Sequence, residues 1–356
     1  MKLKPIIPLL LWLGCSPLTL ANESPLLQPD YPATYVVQQG DTLWDIAAHY
    51  LQKPWQWPIL WQSNPQIANP HRIYPGDQLA LQWQNGVPRL VRSGAFAKPV
   101  ITLSPKVRRE AVNDAIPALP LAAIEPFLTQ DLLFASQAQR DGAPMVLGNN
   151  SGQRALLAPA ILYVRGVLQT GQRYGVYRAG SEFHDPHSGE WLGQVANLTG
   201  VVRADSVAGE GMSRVTLLSN REEVREGDRL LPLPADAALQ AQFDPRPAAS
   251  LQGGEIIGLP GQRVTGSRLD VVLINRGARE ALTPGMLLHA WRPGALLNHA
   301  TVERFAEAKA APAKNPRLPA EVIATIMLFK VYPTLSYGLI MHSPDLVRVG
   351  YAVTAP

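Results

Sequence analysis

Residues 35–81, YVVQQGDTLWDIAAHYLQKPWQWPILWQSNPQIANPHRIYPGDQLAL, constrain the fold of this chain more than any other stretch. They carry the start, the apolar pattern and the end of a unit that can fold by itself. A turn at Gly40-Asp41 follows the apolar pair Val36-Val37, and an amphipathic run with Trp44 comes next. After Pro54 a second run carries Trp55, Trp57 and Trp61. A turn at Pro75-Gly76-Asp77 closes the stretch, with Leu79 and Leu81 alternating behind it.

Local chemistry turns this pattern into elements. Asp41 or Thr42 can cap a helix running to about Leu51, because a side-chain oxygen there accepts a free amide hydrogen of the first turn. Leu43, Trp44, Ile46, Ala47 and Tyr50 fall on one helical stripe. A second helix begins near Pro54, since proline is tolerated in a first turn, and Pro58 delays or bends that start. Trp57, Leu60 and Trp61 share its face, which leaves Trp55 as the tryptophan expected to be exposed. Short strands near residues 35–37 and 79–81 pair antiparallel. The product is a β-α-α-β unit of about fifty residues, a marginal size whose tryptophans contribute heavily to stability.

The ordered residues Tyr35-Val36-Val37, Gly40-Asp41-Thr42-Leu43-Trp44, Ile46-Ala47, Asn64-Pro65, Ile73 and Tyr74-Pro75-Gly76-Asp77-Gln78-Leu79 resemble the LysM domain. The resemblance implies binding of N-acetylglucosamine glycans, peptidoglycan or chitin-like, in a shallow groove between two loops. On this chain the first loop is Gly40, Asp41, Thr42 and Leu43, and the second is Asn69, Pro70, His71, Arg72, Ile73 and Tyr74. It implies backbone hydrogen bonds to the N-acetyl group and apolar contact with its methyl. The helix link QKPWQWPILW is richer in tryptophan and proline than the common form. It reads as a core variant, with a stacking platform for a second sugar or an apolar patch for a partner as the alternatives.

Residues 1–21 read as an export signal. Lys2 and Lys4 precede an apolar run too short to span a bilayer, and Thr19-Leu20-Ala21 offers small residues for cleavage. The competing reading makes Cys15, the single cysteine, an acylated first residue of a lipoprotein. An exported, periplasmic protein follows from either. Losing both lysines leaves the formal charge of +4 near +2, which gives no case for nucleic acid.

The rest of the chain has a different texture. Its share of the 33 prolines and 28 glycines argues for short strands joined by turns. The expected fold class is α+β: the LysM-like module, then a mainly β region. Residues 22–34 and 83–117 read as linkers, although residues 82–104 also suit an edge strand, and residues 118–172 read as short helices and first strands. The best helical candidate there is residues 118–136, kinked at Pro126. Three segments starting at Arg214, Asp270 and Ser336 look alike. Each is a strand, a polar turn and a return to a glycine, Gly227, Gly285 or Gly350, 58 and 65 residues apart. They define β-modules over 173–235, 250–302 and 320–356, with a mobile loop at 303–319. Whether they are true repeats or common hairpin chemistry is open in the sequence. The strings YVRG, VYRAG, GDRLLP and LINRG after a LysM-like module also resemble a group of proteobacterial envelope proteins whose tail has no assigned chemistry.

Constellations that carry catalysis are missing from the pattern. There is no Gly-x-Ser-x-Gly elbow, no His-Glu-x-x-His and no phosphate loop. His184, Asp185, His187 and Glu190 form one compact ligand-type cluster, yet Asp-Pro and Ser-Gly mark it as a hairpin tip, and no metal or other cofactor is expected. The expected function is non-catalytic glycan binding in the cell envelope, the β-rich tail serving a structural role or a protein partner. The alternatives are a wall hydrolase with an unrecognised site in the tail and an envelope scaffold.

Overall fold

The computed structural model describes residues 25–61, 73–84, 86–92, 132–233, 245–296 and 317–356, together with 123, 124, 127 and 243. The chain divides into two compact units, residues 1–118 and 119–356.

In the first unit β1 (Thr34–Val36) leads to α1 (Leu43–Tyr50), a 3-10 turn at Pro54–Gln56, α2 (Trp57–Trp61), β2 (Gln78–Gln84) and β3 (Val87–Arg92). β1 pairs antiparallel with β2, Tyr35 opposite Leu79. Thr42 caps α1 through a reciprocal box, its hydroxyl accepting from the Asp45 amide while the Asp45 carboxylate accepts from the Thr42 amide. The expected stripe of Leu43, Trp44, Ile46, Ala47 and Tyr50 is buried, as are Trp57, Leu60 and Trp61. Trp55 is half-buried rather than exposed. Both flanks expected as linkers contribute structure. β3 adds a third strand beside β2, and Gln28 and Gln52 make backbone bonds of 2.9 Å with Tyr50 and Leu26 around a bridge between Leu27 and Leu51. A small core gains from these strips, because each covers apolar surface that two short strands leave open.

The second unit is mainly β. Of the helix expected over residues 118–136, residues 123, 124 and 127 are helical, and most of the others lie outside the described residues. Leu132–Phe134 form β4, a strand on the neighbouring sheet, and α3 follows at Gln137–Gly142. The strands β5 (Met145–Gly148), β6 (Ala155–Leu156), β7 (Ala160–Arg165), β8 (Arg173–His184), β9 (Trp191–Gly209), β10 (Met212–Asn220), β11 (Val224–Arg225) and β12 (Arg229–Pro232) come next. Six of them close a ring, β5-β7-β10-β9-β8-β12 and back to β5. β6 and β11 form a separate clip. Closure leaves no unpaired edge and lets the inward residues Val146, Leu162, Val164, Val176, Val215 and Leu230 fill the interior.

After β13 (Arg246–Pro247) the same plan recurs in β14 (Gly254–Gly258), β15 (Thr265–Gly266), β16 (Val271–Ile274), β17 (Met286–Arg292), β18 (Glu321–Val331), β19 (Ser336–His342), β20 (Val347–Arg348) and β21 (Ala352–Thr354). The ring is β14-β16-β19-β18-β17-β21 and back to β14, and β15 clips to β20. Every pairing of the first barrel thus has a counterpart in the second.

This corrects the expectation of three modules. The segments from Asp270 and Ser336 interleave in one barrel, where β16 pairs with β19 and β17 with β21. The three glycines look alike because one turn is used at two places per barrel. Gly227, Gly285 and Gly350 all have φ near +90° and sit third in four-residue turns closed by bonds to Arg225, Thr283 and Arg348. Gly171, φ +83°, makes the same turn in the first barrel at the place equivalent to Gly285. The true repeat is therefore two barrels, with Gly227 matching Gly350 and Gly171 matching Gly285.

The β8–β9 ladder continues past the first ring, from Arg178 opposite Asn197 to His184 opposite Trp191, and this arm lies on the second barrel. The sequence HDPHSGE forms its tip, as expected. Asp185 is buried there and accepts from the amides of His187 and Ser188, both at 2.9 Å, from Asn275 Nδ2 at 2.8 Å and from Arg276 at 3.1 Å. Those donors, the two loop amides first, hold its carboxyl far below the usual range. Glu190 pairs with Arg279 and His187 with Glu255, so the compact cluster spends its groups on joining the barrels.

Replacing Asp185 by Ala strands those donors and is expected to cost roughly 2–4 kcal/mol in denaturant unfolding. A depressed carboxyl adds stability above its unfolded pKa of about 3.9 and loses it as pH falls through its folded value. The wild type should therefore weaken below about pH 4, and the variant should lack that part of the slope.

Candidate functional site

In the first unit two turns are brought side by side by one residue. Val37 follows β1; its amide donates to the Asp77 carbonyl at 2.9 Å, and its carbonyl accepts from the Gly76 amide at 2.8 Å. The turn at 74–77 is thereby fixed against the start of the turn at 38–41. Both turns place glycine third, and Gly40 and Gly76 each have φ +95°. A side chain at either would meet no atom within 4 Å, so the backbone conformation and not crowding selects glycine.

Each turn is tightened by its aspartate. Asp41 Oδ2 accepts from the Gln38 amide at 2.8 Å and from the Tyr35 hydroxyl at 2.9 Å. Asp77 Oδ2 accepts from the Tyr74 amide at 2.9 Å and pairs with Arg92 of β3 at 3.0 Å. Burial, with the adjoining Asp41 carboxylate, pushes the Tyr35 phenol up to about 12. The Tyr35 ring also rests on His49, centroids 4.8 Å apart. These are structural duties for Asp41 and Asp77, both of which the sequence places in turns. Asp45, Tyr35 and Val37 were not singled out as site-forming. The Thr-x-x-Asp spacing could have found the first, but the other two act through contacts the sequence does not display.

The expected site residues separate by where they point. Gly40 is exposed, Asp41 is half-buried, and Tyr74 presents its ring to solvent with 39% exposed. Thr42 is buried in its cap, and Leu43 and Ile73 are wholly buried in the core. Those last two side chains support the loops from beneath and leave only backbone for a ligand. Asn69, Pro70, His71 and Arg72 lie outside the described residues. Gly40, Asp41, Tyr74 and Pro75 thus form one outward-facing rim.

The second unit holds a cleft of about 740 Å³ between its barrels. Phe183 and Asn197 of the arm form one wall, and Gln262, Leu273 and Tyr337 of the second barrel form the other. Gly258 is closely covered there, since a side chain would come within 2.6 Å of the Phe183 ring. These residues come from widely separated segments, which is why the sequence does not announce the cleft. Among the described residues no group of three or more His, Cys, Asp or Glu is placed to hold a metal ion.

Residues 35–81 match the family model of the LysM domain. No curated protein matches the chain.

Gly76→Ala forces an ordinary residue into the left-handed region without a clash. It is expected to cost about 1–2 kcal/mol of module stability, followed by tryptophan fluorescence. A shift in midpoint no larger than that of a substitution at exposed Gln38 would count against the turn as a fixed joint.

Proposed function

We propose that this protein, whose residues 35–81 form a LysM domain, binds peptidoglycan without cleaving it and works in the cell envelope. LysM domains bind glycans containing N-acetylglucosamine, such as peptidoglycan and chitin. The observation that carries the proposal is the match over residues 35–81, supported by the rim of Gly40, Asp41, Tyr74 and Pro75 that the two clamped turns present to solvent. With the Tyr74 and Asp41 amides engaged within their turns and Pro75 lacking one, the Gly40 amide and the rim carbonyls are the backbone groups that suit a neutral N-acetyl group, which needs one donor and one acceptor at fixed positions. Tyr74 adds an aromatic face for the sugar ring. The Lys2-to-Ala21 segment supports export to the periplasm, and the paired barrels suit a rigid spacer or a docking unit for an envelope protein.

Three measurements test this. The mature chain should sediment with purified sacculi, and a chain lacking residues 35–81 should stay in the supernatant. Tyr74→Ala should weaken binding of N-acetylglucosamine oligomers about tenfold while leaving the melting temperature close to that of the wild type. Zymography on peptidoglycan should show no clearing, and a clear zone would make the protein a hydrolase.

A further inference from the structure

The duplicated barrels permit an internal comparison. In the second barrel the outer face of β16 and β19 lies under the β8–β9 arm, and every residue of β16 is buried. In the first barrel the equivalent strands are β7 and β10. Register fixes the correspondence, for Arg214 stands opposite Tyr163 as Tyr337 stands opposite Leu273. Here burial alternates along both strands, so the outer face is open. Between it and the loop after β5 lies a recess of about 770 Å³, and among the described residues none from the arm or the second barrel lines it.

Its chemistry differs as sharply as its exposure. Where the second barrel has Leu259, Leu273 and Tyr337, the first has Asn149, Tyr163 and Arg214. Asn150 and Gln153 add two more carboxamides, and Ile161, 45% exposed, supplies an apolar patch. The carboxamides are loosely engaged: Asn149 Nδ2 donates to Gln153 Oε1, and Asn150 Nδ2 to the Tyr163 hydroxyl, both at 3.4 Å. Such bonds are near the useful limit and are readily exchanged for a ligand's. The nearby carboxylate of Asp205 is taken up by Thr216 at 2.6 Å and by Arg203. The Arg214 guanidinium has no hydrogen-bond or ion-pair partner among the described residues, which leaves one free cation in a recess of planar amides.

We infer that this recess is a second binding site for the same polymer, selective for its carboxylate-bearing part. Arg214 would pair with a lactyl or stem-peptide carboxylate, groups that peptidoglycan has and chitin lacks. The carboxamides would take hydroxyl and amide groups, and Tyr163 with Ile161 the apolar face of the sugar. The inference rests on the reading of the chain as a peptidoglycan binder. It gives the barrels a part in choosing the polymer, with the module reading the neutral sugar and the first barrel the acid.

Calorimetry on the full mature chain tests it with two probes, a chitin tetramer and soluble peptidoglycan fragments of equal length that keep their carboxylates. The wild type should bind the fragments about tenfold more tightly than the tetramer, and added salt should shrink the difference. Arg214→Gln and Asn149→Ala should each remove most of that preference and leave chitin affinity unchanged. Arg214 is exposed and has no partner among the described residues, so an unchanged melting temperature will show that the variant folds. Fragment affinity unaltered in both variants overturns the recess while the module's role stands. An equal loss toward both probes also overturns it. A wild type that binds neither probe defeats the underlying reading as well.

Discussion

Each β-unit of this protein closes on a small reciprocal joint between a turn and a crossing strand. The third residue of the turn takes positive φ and gives its amide hydrogen to the strand, and the strand gives one back to the carbonyl of the fourth. Val37 meets Gly76 and Asp77 in this way, Val146 meets Gly227 and Asp228, and Ile256 meets Gly350 and Tyr351. Only a left-handed turn residue points both groups at the partner, and glycine reaches that conformation at least cost. At Leu269, φ +69°, a bulky residue fills the role beside Ile340, and the Asp270 carboxylate helps by accepting from the Ser267 amide. These joints matter most where a ring closes on a short strand, since β12 is laddered to β8 over four residues but meets β5 at a single residue pair.

Given closed barrels, the arm decides how the second unit behaves. The buried Asp185, the Glu190 pair with Arg279 and the Phe183 ring against Gly258 make the arm part of the second barrel's surface. The surface pair is worth little in water, so the buried carboxylate with its four donors carries the specificity of the contact. One consequence is asymmetry. The face of β16 and β19 is covered and apolar, while that of β7 and β10 is open and polar. The two barrels share one plan, yet the recess of one is a joint lined by Leu259, Leu273 and Tyr337, while that of the other is open and lined by Asn149, Tyr163 and Arg214.

Much of the first unit was legible in the residues. The cap at Thr42, the buried stripe of α1, the face of Trp57, Leu60 and Trp61 and the pairing of β1 with β2 follow from periodicity and turn chemistry acting over a few positions. The strip around Leu27 is not marked in the sequence and β3 was readable only as an alternative to a linker, because exposed Leu26 beside Leu27 and Val91 beside Leu90 are just as apolar, and which of each pair is covered depends on a partner surface. Trp55 is half-covered for a similar reason. The rim of the site was readable at Gly40 and Tyr74, yet nothing local shows that Leu43 and Ile73 turn inward. In the tail, the run Ile161-Leu162-Tyr163-Val164 and the hairpin tip are plain, but the sequence does not display that the segments from Asp270 and Ser336 interleave in one barrel, since that depends on β16 pairing with β19 and β17 with β21.

The sequence by itself determined the module, the turns and the short-strand character of the tail, because those depend on φ preferences and on side-chain spacing within one element. Tertiary structure alone decided that the strands close into two barrels of one plan and that Asp185 is a buried joint. It also decided that Arg214 lies on an open face with no hydrogen-bond or ion-pair partner among the described residues. Each of those facts depends on pairings between residues tens of positions apart, such as Arg229 with Met145 or Ala352 with Trp291. A glycine turn encodes that a strand will be met and leaves the choice of strand to closure of the whole ring.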